Sequence, residues 1–387
     1  MSREFDVAIY GASGFTGKLA AEYLAGLANR EPSRRVALAG RDASKLAAVN
    51  AEIGAEFPVV VADSADPASL ADLARRSRVV LTTVGPYQLY GSSLVAACAE
   101  AGTHYADLCG ETAWMRQMID AHERRAKASG ARIVFSCGFD SIPFDFGVAY
   151  LQAEAKQRFG ASCARVKGRV RKMKGTFSGG TAASFRASMA AAAKDPNVLA
   201  LMRDPFALTP GFQGPKQPSG NRPEYDEQLG MWAAPFIMAA INTRNVHRSN
   251  YLTGRPYGAD FVYDEMIVAG PGEKGEAIAK AIAAGMGDMA GENGPKPGEG
   301  PSREARESGF YDLLFVGAGP RGERLDVCVK GDRDPGYGST CKMISQCALA
   351  LADEQGPGGI FTPVAAFGAD FSERLARAGL SFTVERG

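Results

Sequence analysis

The sequence predicts an α/β protein in which an N-terminal doubly wound parallel sheet is followed by a second, mixed α/β domain. Three observations predict it. The first 145 or so residues alternate short apolar runs with helix-spaced segments, at the density of consecutive strand-helix-strand units. A glycine-rich turn, Gly11-Ala12-Ser13-Gly14-Phe15-Thr16-Gly17, joins the first apolar run to the first helical segment. At 387 residues the chain is longer than one ordinary domain, and beyond residue 145 the alternation stops.

Phe5 to Tyr10 is a short apolar strand, and Lys18 to Leu27 has the apolar spacing of a helix. Val36 to Ala39 is the second strand, Ser44 to Glu52 a helix, and Val59 to Ala62 the third strand. Ser69 to Arg75 reads as a helix, Val79 to Val84 as a strand, Ser92 to Ala101 as a helix, and Tyr105 to Leu108 as a short strand. A long amphipathic helix, Trp114 to Ser129, and a strand, Ile133 to Ser136, close a Rossmann-type domain over residues 1–145. Val166 to Lys172, Phe261 to Ile267, Tyr311 to Phe315 and Arg324 to Val329 are strand candidates separated by long insertions, so residues 146–335 read as a second, mixed sheet with its helices. Asp204 to Tyr225 and Gly291 to Pro301 are rich in Pro or Gly and read as loops, the second a mobile one. Lys342 to Ala352 is an apolar helix ahead of Gly356-Pro357-Gly358-Gly359.

Composition removes several classes of function. Forty-four basic residues against 43 acidic ones give a formal net charge of +1, so no global field would hold a nucleic acid. Met1 to Asp6 lacks an apolar signal core, and runs such as Ala233 to Ile241 are too short to span a bilayer, so a cytoplasmic protein is expected. Seven scattered cysteines without a CxxC pair argue against a disulfide framework or zinc site. His104, His122 and His247 have no metal-ligand spacing, and no GxSxG elbow is present. No metal is expected.

The glycine turn sits where a dinucleotide's pyrophosphate binds. Gly11 allows the tight turn, Gly14 the approach of the pyrophosphate and Gly17 the close packing of helix on strand, while the helix start points free N–H groups at the phosphates. Gly11, Ala12, Ser13, Gly14, Phe15, Thr16 and Gly17 are therefore assigned to the cofactor. At the end of the second strand, Arg41 and, one helical turn on, Lys45 place positive charge where a ribose 2′-phosphate would lie, favouring NADP(H) over NAD. Asp42 facing the ribose would reverse that preference. Thr83, Val84, Gly85 and Pro86 end the fourth strand on the nicotinamide side, and Tyr87 and Asp140 are the candidates for protonating or orienting a substrate. Asp140 could equally cap the helix that follows. Ser178-Gly179-Gly180-Thr181 opens an alanine-rich helix, so Gly179, Gly180 and Thr181, with Ser141, are assigned to substrate; a plain helix start is the rival reading. Arg244 and Arg248 share a helix face and read as a solvated edge.

On these residues the chain resembles the saccharopine-dehydrogenase-like oxidoreductases, particularly the trans-acting enoyl reductase subgroup. The shared stretches are Gly11 to Gly17, Ala39-Gly40-Arg41, Thr83 to Tyr87, Ser136 to Pro143, Ser178 to Thr181, Ala234-Pro235-Phe236, Asn242-Thr243-Arg244, Arg248-Ser249-Asn250 and Phe361-Thr362-Pro363. The resemblance implies an NADP-type first domain, a mixed second one, and a C-terminal helical segment over 336–387 that packs back toward the first. It also implies hydride delivery to an activated C=C of a small-molecule or acyl substrate, carrier-bound in the enoyl-reductase subgroup. An imine or ketone reductase and a non-catalytic dinucleotide-binding protein stay open as alternatives. One face of the second sheet must be covered, and a homodimer sharing an apolar face is the expected cover.

Overall fold

The structure is a computed structural model that describes residues 3–28, 34–175, 179–285 and 300–387. Ser178 and residues 291–299 of the Gly/Pro-rich stretch lie outside them.

The first sheet has seven parallel strands: β1 (Phe5–Tyr10), β2 (Val36–Gly40), β3 (Val59–Val61), β4 (Ser77–Thr82), β5 (His104–Ala106), β6 (Arg132–Val134) and, from far along the chain, Gly359–Phe361. Their order runs from Gly359–Phe361 through β6, β5, β4, β1 and β2 to β3, reversing direction beside β1. Strands buried on both faces need apolar residues at every position, and Val7, Ala8 and Ile9 are fully buried in succession. The helices Phe15–Ala28, Ala43–Ile53 and Thr340–Asp353 pack together on one face, and Pro67–Arg76, Ser92–Ala101 and Thr112–Ser129 on the other.

The second sheet holds β7 (Arg165–Lys174), β8 (Glu224–Asp226), β9 (Met231–Pro235), β10 (Val262–Gly270), β11 (Phe310–Ala318), β12 (Arg324–Gly331) and the C-terminal strand Leu380–Arg386. It is antiparallel except where β7 pairs with β10. Taking Gly359–Phe361 as β13 and Leu380–Arg386 as β14, the order is β14-β12-β11-β7-β10-β9-β8. The helices Ile142–Phe159 and Ala239–Leu252 cover its inner face. The first rides so close that a Cβ on Gly147 would stand 2.3 Å from the Phe315 ring.

The segment 336–387 is not the helical unit that the resemblance implies. It gives the first sheet a helix and β13, and then crosses back to give the second sheet β14, where Leu380, Phe382 and Val384 alternate at the strand period and β14 pairs with β12.

The outer face of the second sheet is not the apolar one expected. Arg165, Lys167 and Arg169 of β7 project there, and the β8–β9 hairpin folds across them so that Asp226 accepts from Lys167 Nζ at 2.9 Å and from Arg169 Nε at 3.1 Å. Asp264 pairs with Arg165 and, at 2.7 Å, with Arg169. Beyond the hairpin, Arg324 donates to the Gln228 carbonyl and pairs with Asp326. Burial pushes the Asp226 carboxyl up, yet Lys167 and Arg169 outweigh it and hold it below the usual range. The face is covered by the chain's own hairpin, with ion pairs in place of an apolar core.

Candidate functional site

The carboxyl ends of β1, β2, β4 and β6 open on one cavity of about 640 Å³ between the two sheets, where a ligand binds in a doubly wound fold. Gly11, Ser13, Gly14, Phe15 and Thr16 line one end of it, with Gly40 and Arg41 beside them. Thr83, Val84, Gly85 and Tyr87 form the middle, and Asp140, Gly180 and Thr181 lie toward the second sheet. Ala12, Gly17, Lys45, Pro86, Ser141 and Gly179 are not in the lining. Ala12 is fully buried beneath the turn, and Gly17 serves packing, since a Cβ there would lie 2.1 Å from the Gly11 carbonyl oxygen. Lys45 is exposed on the helix behind Arg41. Ser141 is fully buried, and its hydroxyl accepts from Asn245 Nδ2 at 2.7 Å.

The glycine turn fits a dinucleotide. Gly11 has φ +91°, and a Cβ on it would strike Val84 and Thr83, whereas a Cβ on Gly14 would meet only the Gly11 carbonyl, at 3.3 Å. That leaves backbone open at the cavity beside a helix start with no acidic residue in its first turn. Asp42, the rival ligand for a ribose hydroxyl, has its carboxylate accepting from Lys45 N–H as the cap of the next helix. Arg41 is left exposed at the rim as the charged group for a 2′-phosphate. The residues present therefore suit NADP(H).

Tyr87 and Asp140, the two candidate acids, differ in setting. The Tyr87 ring is 5% exposed, and its hydroxyl accepts from Leu108 N–H at 3.0 Å and donates to the Thr82 carbonyl at 3.3 Å. Burial and the Asp107 charge push that phenol far above its ordinary range, so it keeps its proton and is spent on holding the turn. Asp140 is partly accessible through the cavity, and burial pushes its carboxyl up to about 7. Its loop is pinned from two sides: Phe139 N–H donates to Thr340 Oγ1 at 3.0 Å, and Thr340 donates on to the Pro335 carbonyl at 2.7 Å. Asp140 does not cap the following helix through its side chain; Ser141 stands at that position, without a side-chain cap bond.

Several lining residues carry no local sequence signal. Glu111 accepts from the backbone N–H of Tyr87 and Gln88, both at 2.8 Å, and from Ser184 Oγ at 2.7 Å. It thereby ties the β4 turn to the helix Gly179–Lys194, and Gln88 repeats the tie to Ser188 at 3.2 Å. The turn Pro335–Ser339 closes over the glycine turn, with Tyr337 edge-on to Phe15 at 4.7 Å and Asp334 accepting from Tyr337 and Gly338 N–H. Leu108, Trp114, Phe185, Met202, Phe236 and Ile241 make the cavity's far end apolar. Arg244 and Arg248 are buried rather than solvated; Arg248 donates to the carbonyls of Leu208 and Ile360, both at 2.6 Å, and so ties down two loops.

A family model described as the saccharopine dehydrogenase NADP binding domain matches residues 7–134. A Mycobacterium tuberculosis protein, provisionally named a trans-acting enoyl reductase, is 39% identical over 99% of this chain and 98% of its own. The trans-acting enoyl reductase of Mycobacterium ulcerans is 36% identical over the same shares. Among solved structures, saccharopine dehydrogenase (L-Glu forming) from Saccharomyces cerevisiae superposes with a TM-score of 0.55 at 10% identity, covering 98% of this chain and 99% of the other, which shows a shared fold. No helix of the described residues is long and apolar enough to cross a membrane. With the glycine turn, the exposed Arg41 and full-length identity in agreement, the chain belongs to the saccharopine-dehydrogenase-like family of NADP-dependent oxidoreductases, alongside the trans-acting enoyl reductases.

Proposed function

We propose that the chain is an NADPH-dependent enoyl reductase that reduces the activated C=C of an acyl or polyketide-type substrate, presented on a carrier. The observation that carries this reading is one cavity that runs from the dinucleotide turn, past the acid Asp140, to the apolar end formed by Leu108, Trp114, Phe185, Met202, Phe236 and Ile241. When bound, NADPH supplies a hydride to the β-carbon of the substrate. Gly11 to Thr16 and Arg41 hold the phosphates, and Thr83 to Gly85 wall the reacting end. Gly180 and Thr181 face the acyl group, supported from behind by Gly179 and Ser141. Asp140 gives its proton to the α-carbon, a task for which a carboxyl raised to about 7 is suited at neutral pH. The apolar walls exclude water from the reacting atoms.

The same reading places the enzyme in the cytoplasm as a homodimer. With the outer sheet face occupied by its own hairpin, the surface for a second copy is the exposed Tyr225, Met231 and Ile278 around β8 and β9, which are 43%, 37% and 39% exposed. The functional test is to follow NADPH oxidation by the pure protein against a panel of enoyl thioesters, imines and ketones. Turnover of the enoyl thioesters alone is expected; turnover confined to imines or ketones would replace the proposal. A monomer by light scattering at micromolar concentration would remove the dimer.

A further inference from the structure

Outside the cavity lining, the second sheet buries another acid for which the reading above has no use. Glu265 on β10 is 1% exposed; its Oε1 accepts from the Tyr263 hydroxyl at 2.9 Å and its Oε2 from Asn242 Nδ2 at 2.8 Å. The space is kept by Gly168, opposite it on β7, where a Cβ would lie 2.8 Å from the Tyr263 hydroxyl and 3.0 Å from Glu265 Cγ. Burial pushes the Glu265 carboxyl up to about 8, partly offset by the two donors, and the Asp264 and Asp140 charges push it further. The titratable and charged groups bearing on it are Tyr263 and Asp264 of its own strand and Asp140 of the 136–143 loop. From β7, Arg169 bears on Tyr263 but pairs with Asp226 and Asp264 on the opposite face.

One helix face connects this acid to Asp140. Asn242 and Asn245 lie one turn apart on the helix Ala239–Leu252, so their side chains are neighbours. Asn242 holds Glu265, and Asn245 holds the hydroxyl of Ser141, the residue after Asp140. Both asparagines are fully buried, and the Oδ1 of each lacks a donor. Buried carbonyl oxygens are seldom left so, and a pair of them between two acids suits a path along which an O–H is handed over.

We propose that Glu265 is the proton reserve of Asp140, returning a proton to it across the Asn242–Asn245 face after each reduction. The inference rests on Asp140 being the acid that protonates the substrate. As the α-carbon C–H bond forms, the Asp140 O–H bond breaks and its electron pair stays on Asp140. That carboxylate then takes the Glu265 proton, and the charge left on Glu265 is met by the Tyr263 O–H and the Asn242 N–H. Solvent returns the proton to Glu265 between turnovers. The cavity can thus stay closed to water while Asp140 is recharged.

The test compares the first turnover with later ones, using NADPH and an enoyl thioester of N-acetylcysteamine. Glu265→Gln should complete its first turnover at the wild-type rate, because Asp140 starts protonated, and then slow by roughly tenfold or more. A first turnover slowed as much as the steady state would make Glu265 merely structural and overturn the proposal, as would no change in either. Tyr263→Phe, a smaller perturbation, should show the same burst with a milder slowing. Independently of activity, the cofactor-free protein labelled with carboxyl-13C glutamate should show by infrared one glutamate that keeps its proton to about pH 8, absent in Glu265→Gln. Asp140→Asn should lower that midpoint by removing the neighbouring charge, and an unmoved midpoint would show that the two acids do not communicate. Asp140→Asn should itself slow the first turnover about a hundredfold or more. A normal first turnover there would defeat the reading of Asp140 as the acid, whereas a slow one beside a burst-free Glu265→Gln would defeat the reserve alone.

Discussion

At the residue scale the glycine turn divides its work between binding and packing. A side chain at Gly14 would face the cavity with only the Gly11 carbonyl nearby, while one at Gly17 would collide with backbone at 2.1 Å. Gly14→Val is therefore expected to fold and lose NADPH binding, and Gly17→Ala to lose about 1–3 kcal/mol of stability as an overpacked contact; urea melts and calorimetry separate the two. Arg41, exposed at the rim, should contribute a charge-assisted contact of roughly 1.5–3 kcal/mol to NADPH and nothing to NADH. Calorimetry on Arg41→Ala should then show about a tenfold or greater loss for NADPH alone. As a proton donor Asp140 works in its protonated form, present below about 7, so kcat should fall by about tenfold per pH unit above that value. A rate that instead rose with pH through this range would assign Asp140 another role. The turn and Arg41 were legible in the sequence because strand, glycines and charge follow one another along the chain. Glu111 was not, because its meaning comes from Ser184, 73 residues away. Glu265 was hidden in the same way, since its partner Asn242 comes from another element.

At the element scale, periodicity found the strands and helices that are apolar on a regular face and missed those that are not. The helix Ala239–Leu252 buries Asn242, Arg244, Asn245, His247 and Arg248, a run that reads as solvated until the carbonyls it satisfies are seen. The helix Ile142–Phe159 is buried almost all round at its start and so shows little amphipathic pattern. The β8–β9 hairpin was missed because β8 is only three residues long and follows a proline-rich stretch. Its consequence is measurable. Asp226 is 4% exposed between Lys167 and Arg169, and Arg169 is 1% exposed, so Asp226→Ala strands a buried guanidinium. A loss of about 3–5 kcal/mol is expected by urea denaturation, with little sensitivity to salt because the pair is out of water. A cost below ~1 kcal/mol would mean that the hairpin is held by something else.

At the scale of the whole molecule, the chain passes between its sheets more than once. After β12 it returns to lay the helix Thr340–Asp353 against β1, β4 and β5 and to add β13 beside β6, and only then supplies β14 to the second sheet. Ile344, Cys347, Ala348 and Leu351 of that helix are fully buried, so residues 1–145 alone would expose the face they cover. Expressed by itself, that fragment should show no cooperative thermal transition and bind no NADPH; a well-folded, NADPH-binding fragment would refute the dependence. The same stitching limits how such genes can be shuffled. A single recombination joint between two relatives anywhere from residue 146 to 335 would give the first sheet its β1 to β6 from one parent and its β13 and covering helix from the other. Hybrids should survive only when those parental surfaces still match, or when a second joint restores the C-terminal stretch.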